Sequence, residues 1–317
     1  MPLEVAAAVI LRPDGAFLLA QRPAGKVYAG WWEFPGGKIH GGESAEAALA
    51  RELHEELGID VRRAYPWITR LYAYEHATVR LNFFRVMDWT GDPHPRENQA
   101  IVWQRIDAPM AEPMLPANAP VLASLALPHE YAITDAESLG ADFLFSRLAF
   151  RLGEGLRLIQ VRDKKLPDRI GFAKKMVDLA HRHGAKVLVN GGPAIADGIH
   201  FTAQQLMQLD ERPKGVLAAA SCHTREELER AMKLEMDFAV LGPVQATVSH
   251  DAGRLLGWEG FAKLTCGASI PVYAIGGVTR ADLERAWSCG AHGLAMISGS
   301  WITPPPDRAA ARARGRA

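Results

Sequence analysis

Residues 37–59 read GKIHGGESAEAALARELHEELGI, and the organisation of the chain can be worked outward from them. Ser44 is a good helix N-cap, Glu46 adds negative charge to the first turn, and Gly58 suits the position just past a helix C-terminus, so the stretch predicts a helix from about residue 44 to 57. On it, Glu52, Glu55 and Glu56 fall at i, i+3 and i+4 and share a face, while Leu49, Leu53 and Leu57, with Ala50 beside them, form a separate apolar stripe. Three like charges on one face repel by roughly 0.2–0.5 kcal/mol per pair. The one cation nearby is Arg51, a turn before Glu55 and placed to orient it. A divalent ion turns that repulsion into ligation, and oxygen-only ligands suit Mg²⁺ or Mn²⁺. A bare Glu-x-x-Glu-Glu reads as an acidic surface helix. The glycine-rich entry and Arg51 shift the reading to a metal site.

The rest of the composition sets the frame. A chain of 317 residues predicts two domains, or one large α/β barrel with additions. Lys+Arg and Asp+Glu both number 36, and a formal net charge of +0 argues against a duplex nucleic-acid partner. No run of about 18 apolar residues predicts a membrane span, and the first residues carry no basic segment typical of a secretory signal, so a cytoplasmic protein is expected. Cys222, Cys266 and Cys289 form no Cys-x-x-Cys pair and read as reduced core thiols.

Along the chain, residues 5–11 and 17–21 read as strands around the Pro13-Asp14-Gly15 turn, and 79–87 and 101–106 as further β-rich runs. A Pro- and Ala-rich seam at 109–128 closes this half. Beyond it, short apolar runs at 156–161, 187–189, 238–241, 272–275 and 293–297 alternate with helix-like stretches at 169–183 and 224–234. That alternation predicts βα units on a parallel sheet. The expected division is therefore 1–128, 129–306 and a disordered Ala- and Arg-rich tail, 307–317.

In full, the first motif is Gly37, five residues, Glu43, seven residues, Arg51-Glu52, an aliphatic, one residue, Glu55-Glu56, one residue, Gly58, an aliphatic. It resembles the Nudix box, which implies a Nudix hydrolase: an αβα sandwich with a mixed sheet, cleaving a nucleoside diphosphate linked to another group. The stretch Trp32 to Ile39, the Asp92-Pro93 region, Glu97, and Leu115 to Pro120 further resemble the MutT type, which hydrolyses oxidised guanine nucleotides. That resemblance implies metal ligation by the Gly36 carbonyl, Glu52, Glu56 and Glu97, with Glu55 a further ligand or base. It implies Mg²⁺-assisted attack of water on the β-phosphorus of a nucleoside triphosphate, releasing monophosphate and pyrophosphate. Asn118 is the candidate for base selection: one amide can accept from the N7–H of an 8-oxopurine and donate to O6, whereas guanine offers an N7 acceptor. Arg22 and Phe34 are further candidates for nucleotide contact.

In the second half, Tyr131 to Asp135, Gln160 to Lys164, Ser221 to Thr224, Leu241 to Val244 and Ala274 to Val278 each fall in or just after a predicted strand, where (β/α)₈ barrels place ligand groups. Gly276-Gly277 and Ser298-Gly299 suit a phosphate cup. The set resembles thiamine phosphate synthase and the TenI-type tautomerase, implying a (β/α)₈ TIM barrel with Gln160, Arg162, Lys164, Asn190, Gly276, Gly277 and Ser298 at a phosphorylated ligand. The sequence departs from that family where it binds metal. Gly191 and Gln205 stand where the synthases have metal-binding Asp, His250 where a lysine is expected, and Pro243 where the tautomerase has histidine. Three functions follow as expectations: hydrolysis of 8-oxo-dGTP or 8-oxo-GTP with an accessory, synthase-incompetent barrel; a thiamine-pathway enzyme; or a barrel that binds a ligand and regulates the hydrolase.

Overall fold

Strand β1 (Leu3–Ile10) is apolar on both sides because both sides are covered. Ala6, Ala8 and Ile10 pack with Leu49, Leu53 and Leu57 of helix α1 (Ala45–Leu57), while Ala7 and Val9 pack with Phe17, Leu19 and Phe83 on the other face. The computed structural model describes residues 2–75, 77–192, 195–246 and 255–302. The remaining strands of the first half are β2 (Phe17–Gln21), β3 (Trp32–Glu33), β4 (Gly36–Lys38), β5 (Asp60–Ala73), β6 (Thr78–Thr90) and β7 (Ile101–Gln104). They form a mixed four-stranded sheet, β4-β1-β6-β5, in which β1 and β6 are parallel, and a three-stranded antiparallel sheet, β3-β2-β7.

Two features go beyond what the sequence predicts. The fourteen-residue β5 carries Pro66, which removes a ladder donor and reads as a breaker, but the register shifts between Pro66 and Thr69 and absorbs it. The seam at 109–128, which the sequence places at the close of the first half, is packed into it. It holds a 3₁₀ turn, Pro116–Asn118, and a helix, Ala119–Leu125, and its Met110, Met114, Val121, Leu122 and Leu125 pack into the core beneath β1 and β6.

The second half is a closed, all-parallel eight-stranded barrel: β8 (Glu130–Ile133), β9 (Leu158–Val161), β10 (Lys186–Asn190), β11 (Gly198–Phe201), β12 (Leu217–Cys222), β13 (Phe238–Leu241), β14 (Val272–Ile275) and β15 (Gly293–Met296). Its interior is packed with Tyr131, Leu158, Leu188, Phe238, Val240 and Tyr273. His250 and the tail at 307–317 lie outside the described residues. Among the described residues no helix is long and apolar enough to cross a membrane. All three cysteines are free; Cys222 is buried, and burial pushes its thiol up to about 12, but Cys266 is exposed and Cys289 half-buried, so only the first is the core thiol the sequence predicts.

The two halves meet at the N-terminal ends of the barrel strands. Thr69 of the edge strand β5 donates its backbone N–H to Ala268 O (2.8 Å), just before β14. Arg85 of β6 is fully buried and donates to His292 O (2.9 Å) and Ala291 O (2.5 Å), just before β15, between the rings of Trp67 and Trp287. Burial pulls its pKa down to about 9, so the joint holds a charged guanidinium at neutral pH. His292 accepts from Trp67 Nε1 at Nδ1 (3.2 Å) and donates from Nε2 to Leu127 O (2.9 Å), an arrangement that fixes a neutral tautomer.

Burial holds His292 well below the usual imidazole range, and His129 and His200 at about 3. All three stay neutral in the fold while the unfolded chain protonates them below about pH 6.5. Lowered histidine pKa values thus give stability that is present above pH 6.5 and is lost as pH falls. Three such groups cost about 4 kcal/mol per pH unit, offset by buried Glu56, Glu33 and Glu130, whose raised values act in the opposite sense. Urea unfolding between pH 7 and 5 is expected to show a net loss on the order of 2 kcal/mol per unit. His129→Gln should lower that slope by about 1.4 kcal/mol. An unchanged slope in the variant would count against this account.

Candidate functional site

Helix α1 forms as the sequence predicts, with Ser44 Oγ capping Ala47 N–H (3.1 Å) and Gly58 ending it at φ +68°. Its polar face meets the β3–β4 segment. Gly36 sits at φ +143°, and a side chain there would strike the Ala6 carbonyl of β1. A side chain on Gly37 would occupy the place of the Glu52 carboxylate, so the glycine pair forms a cradle into which Glu52 is seated.

Arg51 is the hub of this face. It donates to Glu43 Oε1 (2.8 Å), Glu52 Oε1 (2.8 Å), Glu55 Oε2 (3.3 Å) and the Lys38 carbonyl (3.1 Å). The bond from Arg51 holds Glu43 below the usual carboxylate range. Arg51 therefore braces Glu52 and Glu43 more closely than the Glu55 that the sequence pairs it with. Glu56 is largely buried: burial first, then the charges of Glu52, Glu97 and Glu33, against the pull of Lys26, push its carboxyl up to about 7. Glu52, Glu56 and Glu97 thus converge on one electrostatic neighbourhood. Glu55 stands outside it, with 55% of its side chain exposed.

Among the described residues, no three His, Cys, Asp or Glu side chains are gathered as a metal cage. The chain's own cations hold two of the converging carboxylates instead: Arg51 pairs with Glu52, and Lys26 Nζ with Glu97 (3.0 Å). The donor set still fits a hard divalent ion. It is all oxygen, it is partly desolvated, and its mutual repulsion is relieved by a cation.

The neighbouring loop carries Asn118. Trp32 N–H donates to Pro113 O (2.8 Å) and Leu115 N–H to Trp32 O (3.0 Å), tying the loop to β3 beside Glu33. Asn118 is 4% exposed, and among the described residues its side chain finds one partner, the Met114 sulfur at 3.5 Å. A thioether is a weak acceptor, so most of the amide's bonding capacity is unspent. Arg22 is committed to Glu33, with Nη1 2.7 Å from each carboxylate oxygen, and its Nε donates to Val27 O. Phe34 is a core side chain, 4% exposed, with its ring against Phe17 and Phe83.

In the barrel, the C-terminal strand ends surround a cavity of about 530 Å³ lined by residues including Lys164, Arg169, Asn190, Gly191, Gln205 and His223. Asn190 Nδ2 donates to Gln160 Oε1 (3.3 Å), and Gln160 Nε2 to the Tyr131 hydroxyl (3.1 Å). Tyr131 meets His200 Nδ1 (3.2 Å), whose Nε2 meets Ser221 Oγ (2.9 Å). Gln205 turns its Oε1 onto Thr202 N–H (3.0 Å) in a capping box. Gly276 and Gly277, both at positive φ, are required by close packing, since side chains there would press on Pro243 (2.7 Å) and Ala246 O (2.6 Å). Ser298 opens a single-turn helix, Ser298–Trp301.

The NUDIX domain pattern matches residues 6–124, and the thiamine monophosphate synthase pattern matches residues 130–300. The chain belongs to both families. Its Nudix half is 41% identical over 120 residues to the CTP pyrophosphohydrolase of Escherichia coli, covering 38% of this chain and 88% of the relative. It is 37% identical over 123 residues to the 8-oxo-dGTP diphosphatase of Haemophilus influenzae, covering 39% and 90%. The barrel is 30% identical over 191 residues to the thiamine-phosphate synthase of Caldivirga maquilingensis, covering 57% and 93%.

Some residues of these sites escaped the sequence reading. Glu33 and Lys26 belong to the electrostatics of the Nudix cleft, and Arg169 lines the barrel cavity. Glu33 alternates with buried Phe34 in the strand-like run, a usable signal. Lys26 and Arg169 lie on loop and helix ends with none.

Proposed function

We propose that the Nudix domain hydrolyses oxidised purine nucleoside triphosphates, 8-oxo-dGTP and 8-oxo-GTP, to the monophosphate and pyrophosphate, cleaning the nucleotide pool in support of DNA repair. Asn118 carries the reading: a buried amide with an unspent acceptor and donor, tied beside the acidic cluster. Such a group discriminates N7–H from a bare N7, because the wrong base leaves a buried acceptor unpaired. The relative named 8-oxo-dGTP diphosphatase supports it.

Glu52, Glu56, Glu97 and the Gly36 carbonyl would hold Mg²⁺ or Mn²⁺. A bound divalent ion supplies charge neutralisation of the triphosphate and activation of water. Arg51 positions Glu52, and a carboxylate of the cluster takes the proton of the attacking water.

The test compares Asn118→Ala with the parent chain on 8-oxo-dGTP, dGTP and CTP. The preference for 8-oxo-dGTP over dGTP in kcat/KM is expected to fall about tenfold, as one lost buried hydrogen-bond match costs roughly 1–3 kcal/mol. An unchanged ratio rules out Asn118 as the selector, and faster turnover of CTP by the parent chain makes the substrate a pyrimidine nucleotide.

For the barrel, we infer that it does not carry out the synthase reaction. Gly191 and Gln205 offer no carboxylate, and Gln205 is occupied in capping its own helix.

A further inference from the structure

Arg22, Lys26 and Arg51 share the Nudix cleft but are held in two different ways. Arg51 is fixed by several partners at once: Glu43, Glu52, Glu55 and the Lys38 carbonyl. Arg22 is likewise committed, with Nη1 on Glu33 and Nε on Val27 O. Lys26 hangs on a single contact. Its ammonium has three donors, and among the described residues its one partner is Glu97 Oε2 (3.0 Å). That pair lies half in water, the side chains being 49% and 43% exposed. An ion pair so placed contributes little to stability and is readily exchanged.

The loop that carries Lys26 is, by contrast, well tied. Arg22 N–H donates to Trp31 O (2.8 Å) and Gly30 N–H to Arg22 O (2.9 Å), which closes residues 22–31 at their base. Gln21 Nε2 adds a bond to Gly30 O (2.9 Å). Gly25, at φ +89°, lets the chain turn so that Lys26 N–H reaches Pro23 O (3.3 Å). A braced loop thus delivers a loosely held ammonium to the acidic cluster, where its charge is felt by Glu56 and Glu33 as well as by Glu97.

The carboxylate that Lys26 holds is one of the proposed metal ligands. A divalent ion and an ammonium compete for it, and a nucleoside triphosphate brings oxygens that form charge-assisted hydrogen bonds with the cation displaced. We propose that Lys26 is an exchangeable phosphate-binding residue: it holds Glu97 in the metal-free chain, gives up that carboxylate once a divalent ion engages it, and then donates to a phosphate oxygen of the nucleotide. This rests on the reading of Glu97 as a metal ligand and of the substrate as a nucleoside triphosphate, and is indifferent to the base. It gives one side chain opposite effects on two ligands. Lys26 opposes the ion and favours the nucleotide.

The experiment titrates the full chain with Mn²⁺ alone, following the free ion by electron paramagnetic resonance. Lys26→Ala is expected to bind Mn²⁺ about threefold more tightly, the scale of a surface ion pair. Calorimetric titration in saturating Mg²⁺ then uses the α,β-methylene analogues of dGTP and CTP, which resist cleavage. Lys26→Ala should weaken both at least tenfold, as one lost charged hydrogen bond does. A loop that had merely lost its shape would weaken ion and nucleotide alike. Unchanged or weaker Mn²⁺ binding, nucleotide affinity within twofold of the parent, or a loss confined to one base overturns the proposal. Glu97→Gln reads the assignment beneath it. Parent-level Mn²⁺ affinity in that variant removes Glu97 from the metal site, whereas lost affinity there, with Lys26→Ala unchanged, sinks the exchange alone.

Discussion

Glu52→Gln is expected to lower kcat for nucleoside triphosphate hydrolysis by roughly 10²–10⁴-fold, the range over which a positioned charged group acts. The substitution keeps the volume of the side chain, so the cradle made by Gly36 and Gly37 stays filled and helix α1 stays packed. The lost property is the negative charge that Arg51 aims into the cleft. Removing that charge also lowers the repulsion on Glu56, whose pKa Glu52 helps to raise. Half-saturation should therefore move to higher Mg²⁺ concentration while the melting temperature holds or rises. Steady-state rates across a Mg²⁺ series check this. A kcat within twofold of the parent would place the chemistry elsewhere.

Arg85→Met should destabilise the joint between the halves by about 1–2 kcal/mol. The change strips the Ala291 carbonyl of the Arg85 donor and leaves the His292 carbonyl with Trp287 Nε1–H alone (3.2 Å), one unpaired buried group costing roughly 1–3 kcal/mol. Relief from burying a guanidinium, whose pKa the joint pulls down to about 9, offsets part of that. Met fills similar space between Trp67 and Trp287, so the effect reports hydrogen bonding and not a cavity. Denaturant unfolding followed by tryptophan fluorescence should move from one transition to two. One transition at the parent midpoint would mean that Arg85 contributes nothing to holding the halves together.

The α1 helix, its caps and its apolar stripe were legible because each depends on residues a few positions apart. The barrel strands at 238–241 and 272–275 were legible for the same reason: buried parallel strands are short apolar runs. β5 was not singled out, since Pro66 interrupts it and only the register shift after that residue keeps the strand paired with β6. The seam at 109–128 was legible as the close of the first half, but Pro and Ala dominate it, and only tertiary packing makes Met114 and Val121 core residues. In the site, spacing put Glu52, Glu55 and Glu56 on one face. It could not show that burial separates them, with Glu56 driven inward and Glu55 left in water. Arg85 gave no sign at all, since its partners lie more than two hundred residues away and are backbone atoms.

The Nudix half closes the barrel at the end from which its strands start, while the cavity of Lys164 and Asn190 opens at the end where they finish. The length of the barrel stands between that cavity and the joint. A molecule released at the Nudix cleft therefore has the length of the barrel to travel before it reaches that mouth. The fusion therefore ties the two sites to equal copy number and a shared address, and leaves their traffic open.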